Sequence, residues 1–167
     1  MTRSIALTCF CAALSIALTT EVSAKDNLGV FSNWAAFRDP GTPRCYAIAK
    51  PRSSSSRSDY APYASVANWP RRNIRGQFHI RLSREMAQDT AIRLTIAGKN
   101  FALTGGGGDA WAQDAQMDAA IIAAMRSATR MSVTTRDASG RRFTDRYQLA
   151  GAATAIDASV VGCAQYQ

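Results

Sequence analysis

Gln77-Phe78-His79-Ile80-Arg81-Leu82-Ser83 alternates apolar and polar side chains at every step, the period of a strand with one face in a core and the other in water. The same period returns in Ile92-Arg93-Leu94-Thr95-Ile96, and Gly98-Lys99-Asn100 then reads as a hairpin turn into Phe101 and Leu103. Further on, Met131 and Val133 open a strand, Asp137-Ala138-Ser139-Gly140 turns it, and Phe143, Tyr147 and Leu149 lie on the returning strand. Val30 to Phe37, Arg44 to Ala49 and Tyr63 to Trp69 are weaker strand candidates. The period lengthens in only two places. Met117, Ala120, Ile121, Ala124, Met125 and Ala128 follow a helical stripe, with Asp114 available as its cap. Near the end, Thr154 and Asp157 resemble a capping box, with Ile156, Val160 and Cys163 on one face. Successive strands joined by hairpin turns predict a mainly β fold, an antiparallel, sandwich-like single domain with two short helices.

The chain begins differently. Met1-Thr2-Arg3-Ser4 is a short positive segment, residues 5–18 are an uncharged apolar run, and Val22-Ser23-Ala24 presents the small residues a signal peptidase requires. The apolar run is too short and too rich in alanine for a membrane span, and no second run follows it. Residues 1–24 therefore read as a secretory signal peptide cleaved after Ala24, residues 25–167 as the mature domain, and the destination as the periplasm or the exterior. Cys9 and Cys11 lie inside the apolar run, and Phe10 precedes Cys11 where a lipoprotein signal needs a small residue.

Cleavage leaves two cysteines, Cys45 and Cys163. An even pair in an oxidising compartment reads as a disulfide. Closing a loop of roughly 100 residues is worth about 4–5 kcal/mol in the chain-entropy model. The whole chain carries a net charge of +8, and the leader holds one charge of each sign, Arg3 and Glu21, so the mature domain keeps that excess. Most of it is arginine spread along the sequence, with one cluster at Arg71, Arg72 and Arg75. Such charge suits anions, and export takes the chain away from nucleic acid.

The ordered features resemble a known family. Phe31-x-x-Trp34 precedes Cys45-Tyr46 and Pro51; Ala110-Trp111-Ala112 and the stretch Ala123-Ala124-Met125-Arg126 follow; then come Gly140, Thr144-Asp145-x-Tyr147-x-Leu149-x-Gly151 and a last cysteine near the C-terminus. Over about residues 28 to 164 this order and spacing resembles the invasion-associated locus B family of exported bacterial proteins. The resemblance implies a β-rich exported domain, linked by name to host-cell invasion, and brings no catalytic residues with it.

Several local patterns touch on chemistry. Gly105-Gly106-Gly107-Gly108-Asp109-Ala110 fits the dinucleotide fingerprint G-x-G-x-x-A. That fingerprint needs a parallel strand–helix unit and an acid about 20 residues on. Here Asp109 and Asp114 would repel phosphates and no acid stands near residue 130, so a floppy glycine turn is expected. His79 is the sole histidine. A Cys45–His79 dyad would need a free thiol and a histidine in a cleft, whereas alternation places His79 on the solvated face beside Arg81. One histidine and two bridged cysteines are too few for a zinc site, and no serine stands in a G-x-S-x-G elbow. Asp114 and Asp118, one helical turn apart, read as carboxylates offsetting a helix dipole. Glu85 falls in a turn. Asp145 shares a face with Phe143 and Tyr147 and so reads as a buried, hydrogen-bonded residue, while Trp34, Trp69 and Trp111 read as core.

The sequence thus predicts no catalytic residue, no cofactor and no metal, a Cys45–Cys163 bridge, and surface binding at Arg71, Arg72 and Arg75. The expected partner is a protein or an envelope component, not nucleic acid, with peripheral association at the envelope. Two alternatives stand beside this reading: a periplasmic enzyme with an unrecognised site, and a binding module for anionic envelope polymers.

Overall fold

The computed structural model describes residues 24–52 and 58–166. The expected signal peptide, apart from Ala24, and the serine run at 53–56 lie outside the described residues. The strands are β1 (Asp26–Phe31), β2 (Trp34–Asp39), β3 (Arg44–Ala49), β4 (Tyr63–Trp69), β5 (Ile74–Arg81), β6 (Ile92–Ile96), β7 (Lys99–Gly106), β8 (Asp109–Trp111), β9 (Arg130–Arg136) and β10 (Arg142–Gln148). Two helices complete the described fold, α1 (Ala115–Ser127) and α2 (Ala152–Gly162).

All the strand pairs are antiparallel, in the order β1-β2-β3-β4-β5-β8-β7-β6-β9-β10. β7 turns this ladder into two layers. Its Lys99–Leu103 half pairs with β6 and its Thr104–Gly106 half with β8, so it belongs to both. The layers close on each other at the far edge. Trp34 Nε1 donates to the Gln148 carbonyl at 2.9 Å, and the Arg52 N–H donates to the Arg146 carbonyl at 2.8 Å. The inward faces carry Val66, Phe78, Ile80, Leu94, Ile96, Met131, Val133 and Tyr147, all fully buried in one core. The expected mainly β, sandwich-like fold with two helices is the fold observed.

α1 begins where the sequence places it, with the Asp114 carboxylate accepting the Met117 N–H at 2.7 Å. Its Ile121 and Met125 fill the core. α2 starts two residues before the expected cap. Gly151, at φ 87°, is its N-cap, and Thr154 lies inside the helix. A Cβ at Gly151 would overlap the Phe31 carbonyl, so a positive φ and a close backbone approach both require glycine there. The buried stripe of α2 is Ala152, Ala155, Ile156 and Ser159, whereas Val160 is exposed. Cys163 caps the helix, is buried, and is bonded to Cys45 of β3 with Cα atoms 5.7 Å apart.

Other expectations shift. The candidate strand Val30 to Phe37 is a hairpin of β1 and β2, broken at Ser32, which adopts φ 53°. The turn before β7 is Ala97-Gly98, one residue earlier than expected, with both residues at positive φ as a type I′ hairpin demands. The glycine segment is half strand and half turn, with Gly107 and Gly108 making the turn into β8. Gly105 and Gly106 end β7, and a Cβ at Gly105 would overlap the Asp109 carbonyl across the β7–β8 hairpin.

Candidate functional site

α1, α2 and the second layer cover the inward face of β1–β5, and among the described residues no helix or strand covers its outward face. Register decides what stands there. Across one row Ser65 of β4 faces His79 of β5, which faces Trp111 of β8. In the next row Tyr63 faces Arg81, which faces Asp109. His79 stacks on the Trp111 ring with centroids 5.0 Å apart, and Tyr63 meets it edge-on at 5.5 Å. Its Nε2 lies 3.0 Å from Asp109 Oδ1, and since a carboxylate only accepts, that nitrogen carries the proton. The other Asp109 oxygen pairs with Arg81, whose guanidinium lies 4.1 Å from the centroid of the Tyr60 ring.

This corrects the expectation for His79. It does face outward, but the rings on the adjoining strands close over it and leave its side chain 17% exposed. Burial pushes the imidazole below its ordinary value of 6.5, and the hydrogen bond and charge of Asp109 oppose that shift. Burial, with the charge of Asp109 second, raises the Tyr63 phenol above its ordinary range.

A second aromatic group lies across the same face toward β2 and β3. The guanidinium of Arg44 sits 4.9 Å from the Tyr46 ring centroid and 5.2 Å from that of Trp69, and Arg72 sits 5.0 Å from Trp69. Tyr46 packs on Phe37 at 5.7 Å, and Trp69 Nε1 donates to Gln77 Oε1 at 3.2 Å. Only Trp34 of the three tryptophans is a core residue; Trp69 and Trp111 belong to the surface. Of the expected binding trio, Arg71 and Arg72 stand exposed in a 3-10 turn, Pro70–Arg72, at the edge of this group, and Arg75 is exposed near the start of β5. The structure thus brings Arg72 onto the aromatic face through Trp69.

The other sequence candidates resolve one by one. Cys45 faces inward and is bridged, so it cannot pair with the outward His79 as a nucleophile. Asp118 accepts the Phe78 N–H at 2.7 Å and so ties α1 to β5; burial raises its carboxyl despite that bond. The expectation that it only offsets the helix dipole was therefore too narrow. Asp145 is buried and accepts the Ser83 N–H, as a structural acid should. Glu85 stands exposed in the segment after β5. The glycine fingerprint lies in an antiparallel hairpin, the wrong setting for a dinucleotide pyrophosphate. Among the described residues no group of three or more His, Cys, Asp or Glu gathers to hold a metal.

This face sets flat rings beside guanidinium groups that lie over them, with one half-buried His79–Asp109–Arg81 network among them. Sequence reasoning missed it because Asp109 and Trp111 sit on a three-residue strand too short to show a period.

The family model described as Invasion associated locus B (IalB) protein matches residues 35–160, well over half of the chain. A similar fold is seen in the crystal structure of invasion associated protein b from Bartonella henselae, at 11% sequence identity and a TM-score of 0.58; the match covers 83% of this chain and 97% of that one. No curated protein matches the sequence significantly.

Proposed function

The chain belongs to the invasion-associated locus B family, and from that premise we propose that it is a non-enzymatic exported protein that acts through contacts with a protein or an envelope component. The observation that carries the reading is the outward aromatic–arginine face, where Trp69 is held beside Arg44 and Arg72 and Trp111 is held against His79. Tryptophan, tyrosine and arginine supply most of the energy at protein contacts, and rings fixed by their neighbours lose little freedom on binding. Residues 25–167 are the proposed mature domain, in the periplasm or outside the cell. The charged start, apolar run and Val22-Ser23-Ala24 support export, and among the described residues no helix is long and apolar enough to cross a membrane.

Replacing Gln77, at the centre of the face, by a photo-crosslinking residue tests this in intact envelopes. A defined cross-linked species is expected, and it should vanish on adding Trp69→Ala or Trp111→Ala in folded protein. Intact mass should show a chain starting at Lys25. A folded His79→Ala variant that abolishes a hydrolase or isomerase activity of the purified wild type would overturn the binding reading in favour of an enzyme.

A further inference from the structure

We propose that the outward face of the second layer binds a linear anionic polysaccharide bearing carboxylates or sulfates. The proposal rests on the exported, contact-making role just described and names the class of one envelope ligand.

The arginines that look scattered in sequence are gathered here by register. On β6, β9 and β10 every second side chain is buried, so their neighbours point outward. Arg142 stands opposite Arg136. The next row is Thr144, Thr134 and Arg93; the next is Arg146, Ser132 and Thr95; the last is Gln148 and Arg130. The outward positions of these three strands hold five arginines, hydroxyls and an amide, and no carboxylate. The one acid of β10, Asp145, points inward to Ser83. Like charges directly opposite on a sheet are destabilising, yet Arg136 and Arg142 sit that way.

Two clefts mark the ends of this face. One, of about 410 Å³, is lined by Arg93, Arg136 and Arg142 together with Thr90 and Thr134. The other, of about 550 Å³, is lined by Arg52, Arg130 and Arg146 with Ser132, Thr95 and Gln148. Among the described residues neither has an acidic residue in its lining. The ion pairs among the described residues use other cations: Arg38, Arg44, Arg81, Arg84, Arg126, Arg141 and His79. Arg130 and Arg136 are six positions apart on β9, so the outermost arginines of the two clefts lie roughly 20 Å apart at the rise of a strand, while the clefts adjoin at Ser132 and Thr134. Hydroxyls line the junction of the two clefts, and those of Thr134 and Thr144 are 2.8 Å apart.

Charge selects an anion and the span selects an extended one. The hydroxyl and amide rows match a partner rich in hydroxyls. No aromatic ring points outward from β6, β9 or β10, so the stacking that holds single-stranded nucleic acid has no platform. Nor do these strands present apolar side chains to enter a bilayer.

The test uses the mature protein and calorimetric titration with heparin oligosaccharides (sulfated), polygalacturonate (carboxylated), dextran (neutral), single-stranded DNA and phosphatidylglycerol vesicles. Binding of at least one of the two anionic glycans is expected, with none of dextran, and affinity should fall roughly tenfold or more between 50 and 200 mM salt. Arg136→Gln with Arg142→Gln, and Arg130→Gln with Arg146→Gln, should each weaken binding at least tenfold. The first pair relieves the repulsion of Arg136 and Arg142 but also removes the 2.8 Å bond from Arg136 to the Gly140 carbonyl, so the unfolding midpoint should stay close to that of wild type. Trp69→Ala and Trp111→Ala should leave glycan binding intact. Equal binding of DNA or vesicles, or loss of binding only with Arg71→Gln and Arg72→Gln, overturns the proposal. Absence of glycan binding beside a persistent Gln77 cross-link would sink this inference and leave the contact-making role standing.

Discussion

The Asp145 carboxylate in β10 accepts the backbone N–H of Ser83 at 2.8 Å, joining the second layer to the segment that leaves β5. Both residues are about 1% exposed. A buried N–H that loses its acceptor costs about 1–3 kcal/mol. Asp145→Ala should therefore destabilise the domain by at least that much in urea unfolding. Asp145→Asn keeps an acceptor oxygen in place and should cost less. Equal losses for the two variants would show that the charge, not the hydrogen bond, holds the site.

The Cys45–Cys163 bridge ties β3 to the end of α2, the last long element of the core. Removing a native bridge from a small exported domain typically costs about 2–5 kcal/mol, and Cys45→Ala with Cys163→Ala should lower the unfolding free energy within that range. The helix should stay docked in the folded variant, because Asn68 Nδ2 still donates to Ser159 Oγ at 3.1 Å and Ala155 and Ile156 remain buried. Peptide mapping without reductant should recover the two cysteines as one linked peptide. Two thiols that label in the native protein would refute the bridge.

How far the sequence could be read depended on the length of each element and on its partners. β5, β6, β9 and β10 carry enough alternating residues to show their period and their inward face, and Asp145 was placed correctly on it. The break between β1 and β2 left no trace, because Ser32, a residue that rarely adopts positive φ, makes the turn. β8 is only three residues long, so the partners of His79 were invisible. Period 2 told which face His79 occupies but not what the next strand sets against it. The same gap hid the arginine face: Arg93, Arg136 and Arg142 become neighbours only through strand pairing.

The β7–β8 hairpin offers a paired test of packing. A Cβ at Gly105 would overlap backbone of Asp109, whereas one at Gly106 meets nothing within 4 Å. Forcing extra atoms into a packed site costs about 1–3 kcal/mol, so Gly105→Ala should show that loss and Gly106→Ala should show little. The hairpin also positions Asp109, so Gly105→Ala should disturb the His79 resonances while Gly106→Ala leaves them in place. Similar stability for the two variants would mean that the hairpin is loose in solution.

His79 gives the clearest pH dependence, because as the sole histidine it yields a single imidazole titration. Burial beside Trp111 and Tyr63 lowers its midpoint below 6.5, while Asp109 pulls the other way. The folded state therefore resists the proton more than the unfolded chain does. Above the unfolded value no penalty exists. As pH falls below about 6.5 the unfolded chain takes up the proton first, and stability declines until the folded value is passed. Nuclear magnetic resonance should place the midpoint below 6.5, and His79→Gln should flatten the stability profile between there and the folded value. Asp109→Asn removes the opposing charge and should move the midpoint lower still. Trp111→Ala opens the ring to water and should move it up. A midpoint at or above 6.5 in the wild type would mean that the Asp109 contact outweighs burial, and stability would then be lost as pH rises through the folded midpoint instead of as it falls.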